Sequence, residues 1–200
     1  MAQTPLRTPT VVVISGRPGS GKTTLAHALA DKIGVPAIIR DEIKQGMVLA
    51  GRGDPGVGYD DLNVATLHAF FGVITTLVQA GVSVVAEAAF QHKLWHPNLL
   101  PLAAIAEIRI VHAIAPTEVI HDRITHRADT NRHRQAHNDS ALLDNINAGT
   151  HSLDDFVPVE LDVPTLTVDT TNGYRPGLES IAQFVVEPLA GDACEHATGG

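Results

Sequence analysis

The sequence predicts an α/β fold, a five-stranded parallel sheet with helices on both faces. Three observations carry that prediction. Short apolar runs bounded by turn residues recur between amphipathic stretches, and the first, Val11-Val12-Val13-Ile14, is unbroken and reads as a strand buried on both sides. A glycine-rich segment, Gly16-Arg17-Pro18-Gly19-Ser20-Gly21-Lys22-Thr23, follows at once and leads into a helical stretch from Thr24 to Ala30. Strands then alternate with helices to the end of the chain, which requires parallel pairing through crossover connections.

The glycine-rich segment fits the phosphate-loop pattern, two glycines five apart followed by Lys22 and Thr23. Glycines let the backbone curl until consecutive N–H groups point inward, and the following helix adds the positive end of its dipole. Gly16 through Thr24 are therefore the expected ATP-binding residues. Lys22 is expected at the terminal phosphates and the Thr23 hydroxyl on a magnesium ion. The bland alternative, a turn that binds nothing, does not need the complete pattern between strand and helix. The fold class becomes a three-layer α/β/α P-loop NTPase.

Composition narrows the rest. The 200 residues are 44% hydrophobic, enough for one substantial core. The expected organisation is one domain over residues 10 to 189, between poorly ordered ends at 1 to 9 and 190 to 200. The net charge of −8, from 22 acidic and 14 basic residues, disfavours a broad nucleic-acid footprint or an anionic membrane. The single cysteine, Cys194, excludes an intramolecular disulfide and fits a reducing compartment, and the apolar run at residues 11 to 14 is too short to span a bilayer. A soluble cytoplasmic protein, monomer or homodimer, is expected. Eleven histidines invite a metal reading, but no pair sits in a HExxH arrangement and no cysteine cluster accompanies them, so dispersed surface or helix-face histidines are expected and zinc is not.

Along the chain, Gly34 stops the first helix and residues 35 to 40 read as the second strand. Asp41 follows it, either as the cap of a helix beginning Asp41-Glu42-Ile43-Lys44 or as a carboxylate delivered to the ligand edge of the sheet. Residues 50 to 60 form a glycine-dense loop, a cover for substrate or a plain connection. A helix is expected from Asp61 to Ala80, with Gly81 as terminator and the adjacent Phe70 and Phe71 chiefly in the core.

The third strand ends at Glu87, which has three readings: contact with magnesium through water, a bond to substrate, or a solvated strand-end acid. Phe90 and Trp95 follow. Trp95 is read equally as support beneath turns at Pro97 and Pro101 or as a stacking surface for ligand. The fourth strand is placed at Ile108 to Ile114, and Pro116 opens a helix. That helix carries Arg123 and Arg127, four apart on one face, toward Arg132 and Arg134. In an acidic chain such a concentration of guanidinium suits a transferring phosphoryl group, with a solvated face or a nucleic-acid contact as the alternative. A further helix is expected near 139 to 147, the fifth strand at Thr165 to Asp169, and the last helix from Pro176 to about Val186.

Taken in order, the phosphate loop, Arg40-Asp41-Glu42-Ile43, Val84-Val85-Ala86-Glu87-Ala88-Ala89-Phe90, the Arg-rich stretch and Val168-Asp169-Thr170-Thr171 resemble the small P-loop kinases of the chloramphenicol phosphotransferase, zeta-toxin and polynucleotide-kinase type. The resemblance covers residues 10 to about 187. It implies that Asp41 takes the proton of a substrate hydroxyl. It also implies a lid at about 127 to 138 that brings Arg127 and Arg132, with Arg123 beside them, over the phosphates. Thr170, Thr171 and Asn172 then lie near adenine. Where such kinases often carry Asp at the end of the third strand, this chain has Glu87.

The expected reaction moves the γ-phosphoryl of ATP, with Mg²⁺, to a hydroxyl of a small molecule. Catalysis falls to Lys22, Asp41, Arg127 and Arg132. Acceptor binding falls to Asp41, Glu87, Phe90 and Trp95, whose acidic and apolar character suits an antibiotic, a sugar or a nucleoside-like alcohol. An NTPase or switch without an acceptor and a 5′-hydroxyl polynucleotide kinase are the alternatives.

Overall fold

The computed structural model describes residues 8–52, 59–130 and 156–187. Five strands, β1 (Thr10–Ser15), β2 (Ala37–Ile39), β3 (Val84–Glu87), β4 (Glu107–Ile114) and β5 (Thr165–Asp169), form one sheet in the order β2-β3-β1-β4-β5. Every pairing is parallel. The unbroken apolar run explains why β1 is central, since Val11, Val12, Val13 and Ile14 bury side chains on both faces.

Six helices cover the sheet among the described residues: α1 (Lys22–Ile33), α2 (Arg40–Met47), α3 (Tyr59–Gln79), α4 (His92–Ala103), α5 (Thr117–Thr130) and α6 (Leu178–Val186). On one face Leu25 and Leu29 of α1 and Ile181 and Val185 of α6 pack on Val12, Ile14, Val85 and Val111. On the other, Phe70 and Ile74 of α3 and Trp95 and Leu99 of α4 pack on Val11, Val13, Val84 and Ile110. Each such side chain contributes about 1.5–3 kcal/mol on burial, so the two layers together hold the sheet's carboxyl edge in place. Arg109 of β4 closes the end of α6 by donating to the Phe184 and Glu187 carbonyls, groups a helix terminus leaves without intrahelical partners.

Several local expectations hold and several change. Gly34 (φ 72°) and Gly81 (φ 80°) stop α1 and α3 in left-handed conformations. Arg40, expected as the end of β2, is instead the first residue of α2; Ile39 is the N-cap and no side chain caps this helix. Asp41 thus sits inside the first turn, and the capping reading falls away. Pro97 and Pro101, expected in turns, lie inside α4, where each removes one N–H from the helical ladder. Residues 53–58 of the glycine-dense stretch lie outside the described residues; its beginning is a wide π-type turn, Val48–Arg52, broken at Gly51 (φ 80°). The helix expected near 139 to 147 and residues 131–138 of the expected lid also lie outside them. Asp61–Gln79 in α3 is long and apolar enough to cross a membrane by length and composition; its Phe70, Ile74 and Val78 are buried in the core.

Candidate active site

The sheet order places β3 and β4 on either side of β1, so the loop leaving β1 opens at the point where the chain switches direction across the sheet. Gly16 to Gly21 form that loop. Gly19 (φ 77°) and Gly21 (φ 81°) hold left-handed conformations, and a Cβ on Gly16 would stand 2.3 Å from the Ala113 carbonyl oxygen. Ser20 N–H donates to the Arg17 carbonyl at 3.2 Å, closing the turn. The backbone is therefore a cradle of the kind that holds a triphosphate at a helix N-terminus. Thr24 stands exposed in the first turn of α1.

Two side chains of α1 face β3. Lys22 is only 6% exposed; its Nζ donates to the Arg17 carbonyl at 2.8 Å and stands 3.9 Å from Glu87 Oε1. Thr23 Oγ1 donates to Glu87 Oε2 at 2.9 Å. Register explains this convergence: Glu87 is the last residue of β3, level with Ile14 of β1 on one side and Ile39 of β2 on the other. It is not the solvated strand-end acid of the sequence alternatives, since it is 4% exposed. Burial pushes its carboxyl up from the ordinary value of 4.5. Lys22 pulls it back, the Asp41 charge raises it further and the Thr23 hydrogen bond lowers it.

Asp41 stands two residues beyond Ile39, the β2 partner of Glu87, at the same edge of the sheet. Asp41 has a 39% exposed side chain and accepts from Arg40 Nη1 at 3.0 Å. It lines a cavity of about 400 Å³ with Arg40, Asn63, Val64, Phe90 and Leu94. Phe90 is the floor of that cavity. Trp95 is not a wall of it: at 0% exposure it packs edge-on against Phe90, with ring centres 5.4 Å apart, and against Phe70 and Phe71. The expectation of Trp95 at the substrate is corrected, because α4 turns the indole into the core beneath the pocket.

On the other side of the phosphate loop, Arg123 of α5 is held by the segment after β5. Its Nη2 donates to the Thr170 carbonyl at 2.6 Å and the Thr171 carbonyl at 3.2 Å, and Nη1 donates to Thr170 Oγ1 at 3.2 Å. The Thr170 hydroxyl in turn donates to the Ser20 carbonyl at 2.7 Å. Thr171 N–H donates to Asp169 Oδ1 at 2.7 Å, and hydrogen bonding from Thr171, its side chain first and then its backbone N–H, holds the Asp169 carboxyl below its usual range. Arg127 lies on α5, but its side chain falls outside the described residues, as does all of Arg132.

Sequence reasoning missed Arg40 and Asn63. Arg40 had one available signal, its adjacency to Asp41; Asn63 had none, standing 22 positions beyond Asp41 on a different helix. Among the described residues no group of three or more His, Cys, Asp or Glu side chains is arranged to hold a metal. The Thr23 hydroxyl and Glu87 carboxylate are, however, hard oxygen donors side by side, which fits the chemistry of magnesium.

Known proteins share this fold. A family model described as an AAA domain matches residues 11–148. Among solved structures, a Chloroflexus aurantiacus protein to which kinase activity is ascribed superposes with a TM-score of 0.74 at 26% identity, over 90% of this chain and 97% of its own. A sugar kinase from Janibacter sp. HTCC2649 gives 0.57 at 22% identity, over 88% and 94%. The Mycobacterium tuberculosis APS kinase in complex with AMPPNP and APS gives 0.55 at 19% identity, over 90% and 96%. The last two are likenesses of fold. No curated protein matches the chain.

Proposed function

The chain belongs to the AAA domain family and has the P-loop kinase fold; from that premise we propose that it transfers the γ-phosphoryl of ATP to an alcohol of a small molecule, with Asp41 as the base. One observation carries this reading: Asp41 stands at the wall of a cavity of about 400 Å³, two residues beyond Ile39, the β2 partner of Glu87, and Glu87 itself meets Lys22 and Thr23 of the phosphate loop. An acceptor seated on Phe90 has its hydroxyl beside Asp41 and its reaction partner beside Lys22.

The step balances simply. A bond forms between the acceptor oxygen and the γ-phosphorus, the bond from that phosphorus to the β,γ-bridging oxygen breaks, and its electron pair leaves on ADP. The hydroxyl proton passes to Asp41. Lys22 and the loop N–H groups hold the phosphates, and Arg127 and Arg132 are the candidates to meet charge on the transferring group. Thr23 and Glu87 are the residues that would hold Mg²⁺, which supplies neutralisation of the β- and γ-phosphates when bound.

The cavity walls favour an acceptor with one apolar face, for Val64, Phe90 and Leu94, and a polar edge for Asp41, Arg40 and Asn63. ATP as donor and a lone cysteine, Cys194, both favour the cytoplasm. The experiment is a screen of hydroxylated metabolites and antibiotics with ATP and Mg²⁺, read by mass for the gain of one phosphate. With the strongest acceptor, Asp41→Asn is expected to lower turnover by about 10²–10⁴ while ATP affinity stays within about twofold. Near-normal turnover in that variant, or loss of ATP binding, rejects the assignment.

A further inference from the structure

Arg40 carries three relationships at once. Nη1 donates to Asp41 Oδ1 at 3.0 Å, Nη2 donates to Asn63 Oδ1 at 2.7 Å, and the guanidinium carbon stands 5.7 Å from the Phe90 ring centre. All four residues line the same cavity. The guanidinium is thus clamped between the first turn of α2, the first turns of α3 and an aromatic floor that Trp95, Phe70 and Phe71 keep rigid from below.

Among the described residues Arg40 Nε has no hydrogen-bond partner, so the guanidinium is oriented through Nη1 and Nη2. Through Nη1 this arginine fixes the carboxylate at the cavity wall.

We propose that Arg40, braced by Asn63 and by the face of Phe90, is a positioning residue that holds the Asp41 carboxylate in one rotamer for the acceptor hydroxyl. The inference rests on the reading of Asp41 as base. Asn63 acts at one remove, since its carbonyl oxygen sets the plane of the guanidinium through Nη2, leaving Nη1 to set the carboxylate. A planar fork suits this role, because lysine offers charge without orientation.

The test uses the full chain with ATP and Mg²⁺ and takes water as the acceptor, read as phosphate release. Arg40→Met is expected to slow release between about tenfold and a hundredfold with KM for ATP within about twofold, the loss that follows from an ill-placed reacting group. In an Asp41→Asn background the same substitution is expected to have no further effect, since a residue acting only through another is silent once that other is gone. Asn63→Leu is expected to slow release several-fold and Asn63→Asp, which keeps an acceptor for Nη2, to restore it. Should Arg40→Met not fold, as judged by its thermal melt, the Asn63 pair carries the same test. A rate within twofold of the parent for Arg40→Met, or an equal further drop in the Asp41→Asn background, overturns the inference. If Asp41→Asn itself keeps the parent rate, the base assignment fails and the positioning role with it; if Asp41→Asn is slow and Arg40→Met is not, only the positioning role fails.

Discussion

Thr23 Oγ1 and Glu87 Oε2 are joined by a 2.9 Å hydrogen bond across 64 positions of sequence. The bond links the start of α1 to the end of β3, and it places a buried carboxylate against the hydroxyl assigned to magnesium. A carboxylate there is costly to bury, since its ionised form loses hydration.

Glu87→Gln keeps the shape and removes the charge. Because Lys22, buried beside it, then loses its acidic partner, stability is expected to fall by about 3 kcal/mol, while affinity for Mg²⁺-ATP falls about 10–100-fold, as when a metal site loses a carboxylate close to its ligands. Thermal melts and nucleotide titrations with and without Mg²⁺ check the two parts separately.

Arg123→Met removes three hydrogen bonds to the Thr170–Thr171 segment. Because Thr170 also holds the Ser20 carbonyl, the phosphate loop loses a brace on the same side. ATP affinity is expected to fall by about tenfold, one to two hydrogen bonds' worth, and Thr170→Val to give a smaller loss of the same kind. Calorimetric titration with a non-hydrolysable ATP analogue measures both.

Trp95→Ala is expected to destabilise the fold by about 3–5 kcal/mol, the usual result of emptying a large buried aromatic site. Trp95→Phe keeps most of the packing, and its turnover is expected to stay near that of the parent, because the indole touches Phe90 from beneath and not the cavity itself. Denaturant melts and turnover of the Phe variant check this. A loss of turnover in Trp95→Phe without loss of stability returns the residue to the substrate wall.

His112 on β4 gives a pH signature. Burial holds its imidazole below the ordinary 6.5, outweighing the backbone bond to Val159 and the Glu160 charge that raise it. The unfolded chain then takes up this proton at higher pH than the folded one, so the contribution of neutral His112 is complete above about pH 6.5 and is lost as pH falls below it. His112→Gln is expected to flatten the fall in melting temperature between about pH 7 and pH 5.

Much of the frame is legible in the sequence. The pattern from Gly16 to Thr23, flanked by a valine run and a helix, announced a phosphate cradle because each glycine is needed for a local backbone reason, and β5 appears over the residues expected. The site was legible in fewer places. Asp41 and Glu87 stood out as acids at strand ends, but Trp95 was drawn toward the ligand by its chemistry alone, and the prolines of α4 hid a continuous helix.

What the amino-acid order determined by itself was the loop that grips phosphate and the parallel alternation around it, since glycine dihedrals and apolar runs act over a few neighbouring residues. What only the tertiary structure decided was which side chains meet: Arg40 with Asn63 across 23 positions, and Thr170 with Ser20 across 150. Those meetings depend on how α3 lies against α2 and how β5 enters beside β4. Such placements come from the packing of whole elements, and no stretch of sequence carries them locally.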